Sequence, residues 1–146
     1  MVGTLTIVIG LCGSGKSWFL NTMQKSHPVA KFFDEGLSDR GQSGIDRRKK
    51  VAIALKNGFD VYVGDLWCGW SARRRVVVKH LKQLVPKLRI VWFYYENSLC
   101  KANNNCRKRR NKRDAKGHVA INQRWSSRLT APRGAIVMKI HQLGRK

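Results

Sequence analysis

Hydrophobic and polar residues along this chain fall into short apolar runs separated by basic, helix-spaced segments. Leu5 to Ile9 is a buried-strand pattern rich in β-branched residues. Ser17 to Lys25 has helical spacing and is stopped by His27-Pro28. Val29 to Phe33 reads as a second strand and Gly36 to Gly44 as a polar loop. Ile45 to Lys56 reads as a basic helix ended by Asn57-Gly58. A third strand is expected over Phe59 to Val63, a basic helix over Ser71 to Leu84, and a fourth, very apolar strand over Leu88 to Tyr95. Residues 97–117 show no strong strand pattern. Val119 to Leu129 can form a helix and Ala135 to Ile140 a last strand. Five strands alternating with helices predict an α/β fold with a mainly parallel sheet, in which ligands bind beyond the carboxyl ends of the strands. No internal repeat is visible, and 146 residues is the length of one domain.

The loop after the first strand reads Gly10-Leu11-Cys12-Gly13-Ser14-Gly15-Lys16-Ser17. This is the full G-x-x-x-x-G-K-S phosphate loop, between strand and helix as its chemistry requires. Gly13, Ser14 and Gly15 let backbone N–H groups turn inward around phosphates, and the following helix points its N-terminus at the same anion. Lys16 is expected to reach the β and γ phosphates and Ser17 to ligate Mg²⁺. The expected ligands are thus ATP or GTP with magnesium.

Eight acids stand in the whole chain, so their places at strand ends are informative. Asp34 and Glu35 end the second strand, Asp65 follows the third and Glu96 the fourth. Asp34 is the candidate base, with Glu35 as its substitute, and Asp65 is the candidate on the metal side. A helix cap or an ion pair with an arginine is the structural alternative for each.

Thirty Lys and Arg give a formal net charge of +22, which a polyanionic partner such as nucleic acid explains best. A generally basic proteome is the other source of such a charge. Basic groups stand at residues 47–50, at residues 73–75 with Lys79, and over residues 101–116. The first two could be solvated helix faces. Trp67 and Trp70 follow Asp65, where either could stack on a base or simply pack. Trp92 reads as core; Trp18 and Trp125 are open either way. Cys12, Cys68, Cys100 and Cys106 lack metal-site spacing. With no leader-like start and no apolar run long enough for a membrane span, a cytoplasmic location is expected.

These motifs resemble the small P-loop kinases, above all the 5′-hydroxyl polynucleotide kinases and their compact phage and bacterial relatives. The resemblance runs from Gly10–Ser17 through Lys31-Phe32-Phe33-Asp34-Glu35 and Val63-Gly64-Asp65-Leu66-Trp67. It ends in Trp92-Phe93-Tyr94-Tyr95-Glu96-Asn97 followed by Asn105 and Arg109. It implies a P-loop sandwich of one domain, with an Arg-rich lid over about 97–117. It implies that Asp34 activates a 5′-hydroxyl of DNA or RNA and that a lid arginine, from Arg107, Arg109, Arg110 or Arg113, closes over the nucleotide phosphates. Arg109 is slightly favoured as the catalytic one, with Arg107 and Arg113 as nucleotide ligands. Relatives often carry an acceptor-binding arginine three residues after the acid, where this chain has Leu37; Arg40, with Glu35 and Trp67, is the substitute expected to meet the acceptor. The same motifs also serve a kinase for a nucleoside, nucleotide or metabolite, or a nucleic-acid-binding ATPase.

Overall fold

The computed structural model describes residues 1–108 and 112–142. Its elements are β1 (Thr4–Ile9), α1 (Lys16–Ser26), β2 (Lys31–Phe33), α2 (Gln42–Lys56), β3 (Val61–Gly64), α3 (Ser71–Leu84), β4 (Arg89–Tyr95), α4 (Leu99–Arg107), α5 (Lys112–Trp125) and β5 (Ile136–Met138). Short 3₁₀ turns span Leu66–Gly69 and Ser126–Arg128. The sheet has the order β2-β3-β1-β4-β5, and every pairing is parallel.

Alternation along β1 sends side chains to both faces, as the two-residue period of a strand demands. Leu5, Ile7 and Ile9 join a core with Val51, Ala52 and Leu55 of α2 and Val77 and Leu81 of α3. Val8 joins a second core with Phe19 and Leu20 of α1, Ala102 of α4 and Ile121 of α5. The result is the expected three-layer α/β sandwich. All four loops after β1, β2, β3 and β4 leave from one edge.

Element ends differ from the sequence pattern for local reasons. Val29 is exposed in a turn closed by Ala30 N–H donating to His27 O at 3.1 Å, so β2 starts later, at Lys31. Phe59 N–H still bonds back to Ala54 O at 3.1 Å, so it closes α2 rather than opening β3. Asp60, in front of β3, accepts from Thr4 N–H at 2.8 Å and secures the start of β1. In the basic stretch, Leu99–Arg107 forms helix α4. α5 begins at Lys112, before the expected Val119, and its last expected turn is 3₁₀. Among the described residues no helix is long and apolar enough to cross a membrane.

Candidate active site

The phosphate loop is built by close approach. Gly13 and Gly15 have φ of 86° and 115°, values that L side chains rarely adopt. A Cβ on Gly13 would also lie 2.8 Å from Cys106 Sγ. Gly15 is the N-cap of helix α1 and brings no side-chain cap, an end whose N–H groups suit an anion. Ser14 Oγ is buried with no hydrogen-bond partner among the described residues. Lys16 Nζ donates to Gly10 O at 2.5 Å and Leu11 O at 3.0 Å, folded along the loop it serves.

Helices α4 and α5 brace the loop from outside. Asn105 Nδ2 donates to Gly13 O at 3.0 Å and to His141 O at 2.8 Å. Asn122 accepts from Cys12 N–H at 2.9 Å and returns a bond to Cys12 O at 2.8 Å. Lys101 pairs with Glu96 at 2.7 Å. That contact, with Ile140 N–H donating to the same carboxylate, holds the Glu96 acid below its usual value.

Two cavities open on the loop. One, about 370 Å³, is lined by Cys12, Gly13, Gly15, Lys16, Ser17, Asp34, Glu35 and His118. The other, about 520 Å³, is lined by Gly13, Ser14, Gly15, Ser17, Trp18, Tyr95, Asn105 and His141. The first brings together the phosphate lysine, the hydroxyl expected on magnesium and both acids of the β2 turn. Asp34 and Glu35 are exposed and make no hydrogen bond or ion pair among the described residues. Ser17 with these carboxylates is an all-oxygen donor set, the hard kind that magnesium accepts. A larger cavity, about 680 Å³, lies on the α3 side, lined by Arg74, Arg75, Lys79, Lys82, Trp92 and Arg133 among others; it shares no residue with the loop.

Asp65 stands apart from these residues. It is fully buried and caps the 3₁₀ turn that follows it. Its oxygens accept from Ser38 N–H at 3.0 Å, Ser38 Oγ at 2.9 Å, Trp67 N–H at 2.8 Å and Cys68 N–H at 3.3 Å. A carboxylate offers about four lone-pair positions, and protein donors take them. Asp65 thus fills the helix-cap role, the structural alternative to the metal side, and it does not line the phosphate cavity. Burial pushes its carboxyl pKa up, against the downward pull of those same bonds.

Leu37 explains the missing acceptor arginine: its side chain is fully buried in the α2–α3 core, a place a guanidinium could not occupy cheaply. Arg40 does not line the phosphate cavity. It lies over the Trp70 ring at 5.9 Å, in a groove with Ser38, Asp39 and Arg73. Arg47 of α2 comes closer to the acid turn, 5.8 Å over Phe33 and 3.5 Å from where a Cβ on Gly36 would stand. Its neighbour Arg48 is structural: it is buried and donates to Leu37 O at 2.8 Å and to His80 Nδ1 at 2.7 Å. Trp67 packs edge-on to Trp125, with ring centroids 5.0 Å apart. Arg107 is exposed at the end of α4, next to Cys106, whose Sγ contacts Cys12 O. Arg109, Arg110 and the side chain of Arg113 lie outside what is described.

Sequence reasoning missed His118, whose ring lines the phosphate cavity with Nδ1 buried and unbonded among the described residues. It also missed Tyr95, whose hydroxyl donates to Gly15 O at 3.2 Å, and His141. No local motif marks His118 or His141, which reach the loop only through the fold, and Tyr95 stands in the Trp92–Asn97 motif with no role given to it there.

The parallel sheet, its strand order and the loop between β1 and α1 define a P-loop α/β fold. Solved structures agree. The chain superposes on a fungal RNA kinase with a TM-score of 0.65, at 13% identity, covering 100% of this chain and 79% of that one. It superposes on a gluconokinase from Sinorhizobium meliloti 1021 with a TM-score of 0.58, at 16% identity over 97% and 84%. It matches Chaetomium thermophilum Kti12 in complex with ADP-AlF3 with a TM-score of 0.56, at 15% identity over 92% and 88%. No family model matches the sequence, and no curated protein does.

Proposed function

We propose that this chain is a kinase that transfers the γ-phosphoryl group of ATP to the 5′-hydroxyl end of a DNA or RNA strand. The observation that carries the reading is the phosphate cavity, where Asp34 stands unpartnered across from Lys16 and Ser17. The nucleoside takes the second cavity, between Trp18, Tyr95 and Asn105, and its phosphates run along Gly13 to Ser17. GTP would fit the same description. Ser17, with a carboxylate of the β2 turn, would hold Mg²⁺, which would draw charge from the phosphate oxygens. Asp34, or Glu35 beside it, accepts the hydroxyl proton as the oxygen attacks the γ-phosphorus, and ADP leaves. Lys16 offsets the charge on the transferring group, and His118, which also lines the cavity, offers a hydrogen bond.

Residues 97–117 serve as the lid of a single kinase domain. α4 grips the loop through Asn105, and a lid arginine, from Arg107, Arg109, Arg110 or Arg113, would close over the phosphates. The +22 charge suits a long anionic acceptor, and one superposing structure is of an RNA kinase. The cavity's 370 Å³ would also admit a small acceptor, and another superposing structure is of a gluconokinase, so a metabolite kinase is the second reading.

One assay separates them. The protein is incubated with γ-labelled ATP and Mg²⁺ and offered 5′-hydroxyl oligonucleotides, nucleosides or gluconate. Label on the oligonucleotide is expected. Label on the small acceptors alone, or phosphate release without any labelled acceptor, overturns the proposal.

A further inference from the structure

Two segments that line the phosphate cavity, the loop after β2 and helix α5, each also carry a residue to Trp70. Along the β2 turn, Arg40 lies over the Trp70 ring at 5.9 Å. Along α5, Trp125 comes two turns after His118 and meets Trp70 at 5.4 Å. At 1.5 Å per residue, Trp125 lies about 10 Å along the helix from the cavity. That is about three stacked base steps.

Around these indoles stand guanidinium groups without counter-charges. Arg73 lies over Trp67 at 5.1 Å and Trp70 at 5.9 Å. Arg128 lies over Trp70 at 5.4 Å and Trp125 at 5.3 Å, and Arg124 over Trp125 at 5.3 Å. Neither Arg40, Arg73, Arg124 nor Arg128 makes an ion pair among the described residues. Arg73 Nε is buried without a hydrogen-bond partner among the described residues, a state that calls for an explanation. Asp39 is the one acid lining the adjoining groove. All three indoles are partly exposed. The platform itself is fixed: Arg74 Nη1 donates to Cys68 O at 2.9 Å and Thr130 O at 3.0 Å, and Thr130 N–H bonds Gly69 O at 2.8 Å.

Mutual packing accounts for the rings but not for several like charges gathered over them, which repel one another. Unpaired bases and their phosphates answer both features, since indoles and guanidiniums stack on bases and guanidiniums bind phosphate oxygens. We infer that Trp67, Trp70 and Trp125, with Arg40, Arg73 and Arg128, form a shelf for single-stranded nucleic acid. It holds the nucleotides next to the acceptor end. This rests on the cavity being the acceptor site.

The test measures binding of fluorescent single-stranded 12-mers, bearing either a 5′-hydroxyl or a 5′-phosphate, to the intact protein by anisotropy. Transfer from labelled ATP is followed in parallel. Trp125→Ala is expected to weaken binding of both strands about 5- to 150-fold, the range for loss of one stacking partner. Trp125→Phe is expected to restore most of it, and nucleotide affinity to stay unchanged. Arg73→Gln is the second variant, should Trp125→Ala not fold, and is expected to weaken binding and flatten its salt dependence. Unchanged binding in the folded variants overturns the shelf. So does equal affinity of the wild-type protein for blunt duplex or for heparin, which has no bases. Shelf-dependent binding of a strand that is never phosphorylated keeps the shelf and refutes the kinase reading. Phosphorylation indifferent to Trp125 and to strand length does the reverse.

Discussion

Two neighbouring turns of this protein each place an acid just past a parallel strand, and they use it in opposite ways. After β2, Asp34 and Glu35 are exposed, unpartnered and face the phosphate loop. After β3, Asp65 is buried and its oxygens are taken by Ser38, Trp67 and Cys68. A carboxylate that must accept a proton needs lone pairs to spare and room for substrate. One that organises a turn needs neither. The Asp65 bonds tie the two turns together, since Ser38 belongs to the loop that Asp34 begins. Arg48 holds that same loop from α2. The structural acid thus positions the segment that carries the available one.

The comparison can be broken at its common ligand. Lys16→Ala should lower phosphoryl transfer about 10²- to 10³-fold or more, since it removes a charge aimed at the transferring group. The circular dichroism spectrum and unfolding midpoint should not change. Next in size, Asp65→Ala leaves buried donors of Ser38, Trp67 and Cys68 unsatisfied, and should cost about 2–4 kcal/mol in denaturant unfolding. Any activity loss in that variant should follow the unfolded fraction, whereas a true metal ligand would raise the magnesium requirement of the folded protein.

A smaller effect tests the loop's support. His80 accepts the Arg48 Nε–H on Nδ1 and so must be neutral there. Burial, followed by the charges of Arg48 and Lys49, lowers its pKa below the ordinary 6.5. A histidine with a depressed folded value adds stability that is full above 6.5 and is lost as pH falls through that depressed value. Melting temperature should therefore decline on acidification below pH 6.5, and His80→Gln should decline less over the same window.

How far these features were legible depends on the reach of the contacts that make them. The phosphate loop is eight consecutive residues between a strand and a helix, so its identity and conformation could be read directly. Asp34 and Asp65 gave the same local signal, an apolar run and then an acid. What separates them is Ser38, brought to Asp65 only when β2 and β3 pair. Leu37 looked like a gap in the kinase pattern and is a core residue. The polar stretch at 103–105 hid helix α4, whose side chains serve the loop: Asn105 bonds Gly13 O and Asn103 accepts from Asn122. His118 and Trp125 reach the site on α5, and nothing near them in sequence marks either as a neighbour of the loop.

The central claim is that Asp34 accepts the proton of a 5′-hydroxyl. It is tested most directly by single-turnover transfer from γ-labelled ATP to a 5′-hydroxyl oligonucleotide, comparing the wild-type protein with Asp34→Asn. Loss of the base predicts a rate about 10²- to 10⁴-fold lower, with ATP and oligonucleotide still bound at wild-type affinity. Transfer at the wild-type rate by Asp34→Asn would contradict the account.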